Sequence, residues 1–212
     1  MYVPPGSLSG SPELRGDVLG VLGYGTIGRE VGRLASAFGM HVLAASSSGI
    51  KAAARGFTVQ GTGDAEGMIP KKWYSSNDPA SLREFLEEVD ILIVACPLTK
   101  VTKGLISVET IKYLKKTAYI VNIARGPVID HQALYTALEE ERIAGAILDV
   151  TDPEPLPAGH KLWTAKNCVI TPHISGSGTM YETRCVDLLE INLKRLAHGQ
   201  DVLNKVDVGK GY

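Results

Sequence analysis

The sequence predicts a single α/β domain built on a doubly wound, all-parallel sheet. Short apolar runs recur along the chain, and most are followed by a segment with helical spacing. The first run ends in a glycine loop that opens a helix. Glycine is abundant (23 of 212 residues) and aromatics make up only 6%, which suits layered α/β packing better than a β-sandwich.

The elements follow in order. Residues 1–16, rich in Pro, Gly and Ser, read as a lead-in to a domain over 17–200. Residues 18–22 form a buried strand. Ile27, Val31, Leu34, Ala35 and Phe38 then repeat at helical spacing, and Gly39 ends that helix. Residues 42–45 are a second buried strand. The stretch 46–80 is glycine-rich, holds a Ser46-Ser47-Ser48 run and shows little periodicity, so it reads as a long irregular insertion. An amphipathic helix over 81–89 has Ser81 as its expected cap. Strands are predicted at 91–96, 118–122, 144–149 and 168–171, with helices at 108–114 and 132–141. The longest helix covers 178–198, and 201–212 is a C-terminal tail. This alternation implies helices on both faces of the sheet.

Composition excludes several classes. Acidic residues (23) and basic residues (22) nearly cancel, so no nucleic-acid partner is expected. No apolar run approaches the roughly 20 residues of a membrane span. The segment Met1–Ser7 lacks the basic and apolar regions of a signal peptide. Cys96, Cys168 and Cys185 are far apart and show no metal-ligand spacing, so they read as reduced core thiols of a cytoplasmic protein, with no metal.

Gly23-Tyr24-Gly25-Thr26-Ile27-Gly28 fits G-x-G-x-x-G between a predicted strand and helix. This is the Rossmann-type arrangement. The glycines permit a tight turn and close approach of a pyrophosphate to the free N–H groups of the helix start. The acid expected about 20 residues on, for the ribose hydroxyls, is missing. No acid occurs between Glu30 and Asp64, while Ser46, Ser47 and Ser48 are followed by Lys51 and Arg55. A carboxylate would repel a 2′-phosphate, whereas hydroxyls and a cation would accept it. NADP(H) is therefore expected over NAD(H).

Four further segments fall in order. They are Cys96-Pro97-Leu98-Thr99 with Thr102–Ile106, Asn122-Ile123-Ala124-Arg125-Gly126-Pro127-Val128-Ile129-Asp130, Leu148–Pro157, and Ile170-Thr171-Pro172-His173-Ile174-Ser175-Gly176. With the glycine loop, the series resembles the cofactor domain of the D-isomer-specific 2-hydroxyacid dehydrogenases, which include glyoxylate/hydroxypyruvate reductases and phosphoglycerate dehydrogenases. The resemblance runs from about Glu13 to the C-terminus. It implies hydride transfer between a nicotinamide cofactor and a small 2-oxo/2-hydroxy acid.

The resemblance places the catalytic set on Arg125, Glu154 and His173. Arg125 follows a buried strand, and its planar fork suits a carboxylate and the adjacent carbonyl. His173, at another strand end, suits proton exchange with the substrate oxygen. Glu154, stiffened between Pro153 and Pro155, would favour the imidazolium form and fix the ring's orientation. By resemblance, Asp149 contacts the nicotinamide carboxamide, with backbone near Ile123 and Ala124. Thr26 and Ile27 lie at the pyrophosphate, and Pro97 and Thr102 lie on the adenosine side. Gly176 and His173 complete the cofactor-binding set. The other histidines, His41, His131, His160 and His198, read as structural or surface residues.

Two departures stand out. The 46–80 stretch is longer than the family has there. Family members also begin with a substrate lobe, whereas Glu13-Leu14-Arg15-Gly16 already matches the lead into the first cofactor strand, so that lobe is expected to be absent. The helix at 178–198, with Met180, Cys185, Leu188, Leu189 and Leu196, is expected to expose an apolar face. A homodimer is implied by resemblance. The alternative function is a dinucleotide-binding, dimerising module without turnover, similar to the corepressors that resemble this family.

Overall fold

A computed structural model describes residues 13–207 and 209. The signal-peptide reading of Met1–Ser7, most of the lead-in and the end of the tail lie outside the described residues.

Seven strands form one parallel sheet in the order β3-β2-β1-β4-β5-β6-β7. They are β1 (Val18–Leu22), β2 (His41–Ser46), β3 (Lys72–Ser75), β4 (Ile91–Val94), β5 (Tyr119–Asn122), β6 (Gly145–Leu148) and β7 (Cys168–Ile170). The helices are α1 (Thr26–Ala37), α2 (Pro79–Glu88), α3 (Val108–Ile111), α4 (His131–Glu139) and α5 (Tyr181–Ala197). The chain winds outward from β1 to β3, returns to β4 and winds the other way. The reversal between β1 and β4 opens a crevice at their carboxyl ends, where α/β sheets of this kind bind ligands.

The pleat divides the core. Leu19 and Val21 of β1 face α1, and with Val42, Ala44 and Ala35 they form one cluster. Leu22, Leu43 and Ala45 face the other way, toward Leu82, Phe85 and Leu86 of α2. Gly20 is there because a side chain would collide with Val89 and Phe85, placing its Cβ 2.2 Å from Val89 Cγ1. Phe85 is fully buried, which contributes about 2–3 kcal/mol. Among the described residues, no helix is long and apolar enough to cross a membrane.

Four expectations need correction. The 46–80 stretch is not wholly irregular. Lys72–Ser75 pairs in parallel with Leu43–Ser46 and forms the sheet edge. Ser81 does not cap α2. Asp78 does, accepting from Ala80 N, with Pro79 in the first turn, while Ser81 Oγ accepts from Ser75 N. Of the cysteines, only Cys96 is buried, and Cys185 is exposed on α5. Coverage is also incomplete. Tyr119, Ile147 and Val169 share the α1 side of the sheet and are exposed there. Helix α5 buries no residue and, as the sequence leads one to expect, exposes an apolar face, here Val186, Leu189, Leu193 and Leu196.

The 46–80 stretch is pinned to α1 by a buried polar network. Tyr24 donates from its hydroxyl to Asp64 (3.0 Å), and Arg29 donates to the carbonyls of Asp64 (2.6 Å) and Ala52 (2.7 Å). The Asp64 carboxylate also accepts from Met68 N and Ile69 N. Removing such an acceptor leaves buried donors unpaired. Asp64→Ala should therefore cost about 1–3 kcal/mol of stability. Hydrogen exchange should accelerate at the amides of residues 68 and 69, while protection in β1 and β4 is retained.

Candidate active site

A cleft of about 890 Å³ opens at the carboxyl ends of β2, β1 and β4. Gly23, Gly25, Ser46, Ser47, Pro97 and Thr102, six of the residues expected at the cofactor, line it. Gly23 (φ +99°) makes the turn, and a Cβ there would lie 2.5 Å from Cys96 N. Gly28 lets α1 descend onto that turn, since its Cβ would lie 2.3 Å from Gly23 O. Around Gly25 there is open space. Helix α1 begins there with no side-chain cap and no acid in its first turn. Thr26 and Ile27, exposed in that turn, therefore present uncapped N–H groups suited to an anion. A pyrophosphate fits this cradle.

The serine turn forms the outer wall. Ser46 Oγ accepts from Gly49 N, and Ser75 Oγ donates to Ser47 O. Ser76 and Asn77, just after β3, also line the cleft, and sequence reasoning missed them because it missed that strand. The cations differ from expectation. Lys100 and Lys103 line the cleft, whereas Lys51 and Arg55 do not. Among the described lining residues there is no carboxylate. Thr102 Oγ donates to Pro97 O at 2.7 Å and so shapes the opposite wall. Cys96 is buried at the floor, which pushes its thiol up to about 11.

The catalytic candidates stand further along the same edge, on the loops after β5, β6 and β7. Asn122, wholly buried, accepts from Ala124 N and donates to Arg125 O, which fixes the turn carrying Arg125. Ile123 and Ala124 lie in this turn, outside the 890 Å³ cleft. The Arg125 side chain is exposed and donates to the carbonyl of Ala124. Gly126 lets this loop meet the next one, since a Cβ there would lie 2.0 Å from Thr151 O. Three residues past Thr151, Glu154 holds His173, with Nδ1 and Oε1 2.7 Å apart. The structure thus joins Glu154 and His173 directly and sets the Arg125 loop against the loop that bears Glu154. Gly176 lies beyond, on the exposed approach to α5.

Asp149 sits between these groups, buried at the end of β6. Its Oδ1 accepts from Thr171 Oγ1 (2.5 Å) and Ile174 N (3.0 Å), and its Oδ2 accepts from Ser175 N (2.9 Å). The Ser175 side chain adds a further hydrogen bond to the same carboxylate, so the donors around it fill the about four lone-pair sites that a carboxylate offers. His173 itself has φ +55°. A non-glycine residue in this region costs about 1–2 kcal/mol and persists only where its surroundings hold it.

The other histidines behave as structural or surface groups. His131 is buried on α4, where burial lowers its pKa. His160 Nδ1 accepts from Leu162 N, and His41 and His198 are exposed.

Comparison with known proteins decides the family. Residues 6–175 match the profile described as "D-isomer specific 2-hydroxyacid dehydrogenase, NAD binding domain". The chain belongs to this family. It is 37% identical over 189 residues to the glyoxylate reductase of Thermofilum pendens, covering 89% of this chain and 51% of that protein. It is 46% identical over 112 residues to the human glyoxylate reductase/hydroxypyruvate reductase, covering 53% of this chain and 34% of that protein. Among solved structures, it resembles a family member from Xanthobacter autotrophicus Py2 in complex with NADPH and MES. The TM-score is 0.75 at 32% identity, covering 100% of this chain and 77% of that one. The chain spans about half the length of the Thermofilum relative.

Asp149 makes the His173 turn sensitive to acid. Burial opposes ionisation of its carboxyl, but the hydrogen bonds from Ser175, Thr171 and Ile174 outweigh it and hold the group well below the usual carboxylate range. A depressed value stabilises the folded form above the ordinary Asp value of 3.8, and that stability is lost as pH falls toward the depressed one. The amide resonances of Ile174 and Ser175 should thus hold steady above that value and move only well below it. In Asp149→Asn this transition should be absent.

Proposed function

We propose that this chain is the cofactor-binding domain of an NADPH-preferring reductase of small 2-oxo acids, running reversibly as a 2-hydroxyacid dehydrogenase. The observation that carries it is the Glu154–His173 pair, 2.7 Å apart, set at strand ends beside the Arg125 loop and a glycine-turned cleft. When bound, the nicotinamide cofactor supplies or accepts the hydride at C2 of the substrate.

The chain's own residues do the rest. Gly23, Gly25 and the first turn of α1 would hold the pyrophosphate, with Ser46, Ser47, Pro97 and Thr102 on the adenosine side. Ile123, Ala124, Asp149 and Gly176 would stand toward the nicotinamide, with Asp149 contacting the carboxamide. Arg125 anchors the substrate carboxylate and polarises its carbonyl. Glu154 engages Nδ1 of His173, which leaves Nε2 to give a proton to the substrate oxygen in reduction and to remove it in oxidation. The retained pair argues against a module that has lost turnover.

The carboxylate-free cleft, with Ser46, Ser47 and two lysines, supports NADP(H) over NAD(H). Relatives named for glyoxylate and hydroxypyruvate support those acids as substrates. Three free cysteines support a reducing compartment, and we place the protein in the cytoplasm. Glu154 and His173 are 37% and 47% exposed at their side chains, so efficient turnover needs a further surface to exclude water. The exposed apolar stripe of α5 supports burial against another surface, and a homodimer is proposed, to be checked by light scattering.

Fluorescence titration of the chain with NADPH and NADH tests the reading. NADPH should bind about tenfold or more tightly, the effect of one or two charge-assisted hydrogen bonds. Ser46→Asp should remove that preference by repelling the 2′-phosphate. Equal affinities in the unaltered chain would refute it. In a catalytically competent form, Arg125→Ala should lower kcat/KM by roughly 10² or more, and an unchanged kcat/KM would refute the assigned role.

A further inference from the structure

His173 hangs on a turn that its own sequence does not hold in place. The turn leaves β7 at Ile170, and His173 N–H bonds back to Thr171 O at 3.0 Å. The histidine then takes φ +55°. Beyond it, residues 174–180 are exposed and lead to α5, a helix that buries nothing. Local packing therefore supplies little restraint on the downstream side.

The restraint comes from β6 and from the start of the turn. Thr171 N–H donates to Leu148 O at 2.9 Å. One residue past the end of β6, the Asp149 carboxylate takes the Thr171 hydroxyl at 2.5 Å and the N–H groups of Ile174 and Ser175. These three donors bracket His173, two residues before it and one and two residues after it. A single buried carboxylate thus closes both flanks of the histidine onto one point. With its flanks fixed, His173 can direct Nδ1 only toward a limited arc, and Glu154 occupies that arc at 2.7 Å.

We infer that Asp149 and Thr171 are positioning residues that hold the His173 backbone in its left-handed conformation and so aim the imidazole. This role is distinct from the carboxamide contact proposed for Asp149. It rests on His173 as the acid–base only for its catalytic consequence, because the geometry itself is measurable without cofactor or substrate.

The test uses the 212-residue chain and three variants, Thr171→Val, Thr171→Ser and Asp149→Asn. Backbone couplings and carbon shifts at residue 173 report its conformation, and ring-nitrogen shifts report the Nδ1 contact. The unaltered chain should show a left-handed residue 173. Thr171→Val, which keeps the shape but loses the donor, should lower the ratio of left-handed to extended conformers roughly tenfold, the effect of about one hydrogen bond. The Nδ1 signature should weaken with it. Thr171→Ser should restore both. Asp149→Asn puts an amide against backbone donors and should act like Thr171→Val; it carries the test alone if the valine variant does not fold. Where turnover is measurable, kcat should fall with KM little changed, because the ring is misaimed while binding groups remain. Native-like conformation and ring signals at residue 173 in Thr171→Val and Asp149→Asn would overturn the inference, as would an extended residue 173 in the unaltered chain. A chain that binds neither nucleotide yet shows these shifts would overturn the proposed function and leave this inference standing.

Discussion

The carboxyl edge of the sheet is organised by the approach of the Gly23 turn to the end of β4. No side chain fits between them, since a Cβ on Gly23 would lie 2.5 Å from Cys96 N. That approach lets α1 start at the crevice between β1 and β4. It also brings the helix's uncapped first turn to the crevice floor. Gly28 then lets α1 settle onto the same turn. Without this contact the helix start would stand off the sheet, and the serine wall at β2 would face nothing.

The placing of Arg125, Glu154 and His173 depends on a second set of backbone constraints, on the three loops after β5, β6 and β7. Asn122 shapes the first, Gly126 seats it against the second, and Asp149 ties the third to β6. Each functional side chain is thus aimed by a buried polar group or a missing Cβ on a neighbouring element. The residues proposed for the nicotinamide side stand over β5–β7 and those proposed for the adenosine side over β2, β1 and β4. The two groups share one sheet edge, so an extended dinucleotide lying along that edge would meet both.

The most legible features were those that a few adjacent residues determine. The glycine turn announces itself because the steric demands at Gly23 and Gly28 fall within one short motif. The strands β1 and β4 are continuous apolar runs. Glu154 and His173 were named as a pair from motifs 19 residues apart. Other features were hidden for physical reasons. Lys72–Ser75 is a four-residue edge strand with no apolar alternation, and missing it hid Ser76 and Asn77. The Tyr24–Asp64 bond links residues 40 apart, through a segment whose composition shows no periodicity. Asp78 followed by Pro79 was a readable helix start, but Ser81 stood nearer the apolar run. The bare sheet face over β5–β7 could not be read either, because alternation shows which side a residue faces and not what covers it.

Gly23, Gly28 and Gly126 each oppose a backbone atom of another segment, at Cβ distances of 2.5, 2.3 and 2.0 Å. Backbone atoms have no rotamers with which to yield, so even a methyl group must displace a whole loop. An alanine scan scored by lost function would therefore rank these glycines beside the proposed catalytic residues Arg125 and His173, although they carry no reactive group. In this fold, sensitivity to substitution maps where the chain crosses itself most closely, and the chemistry has to be separated from it by variants that alter a functional group without adding volume.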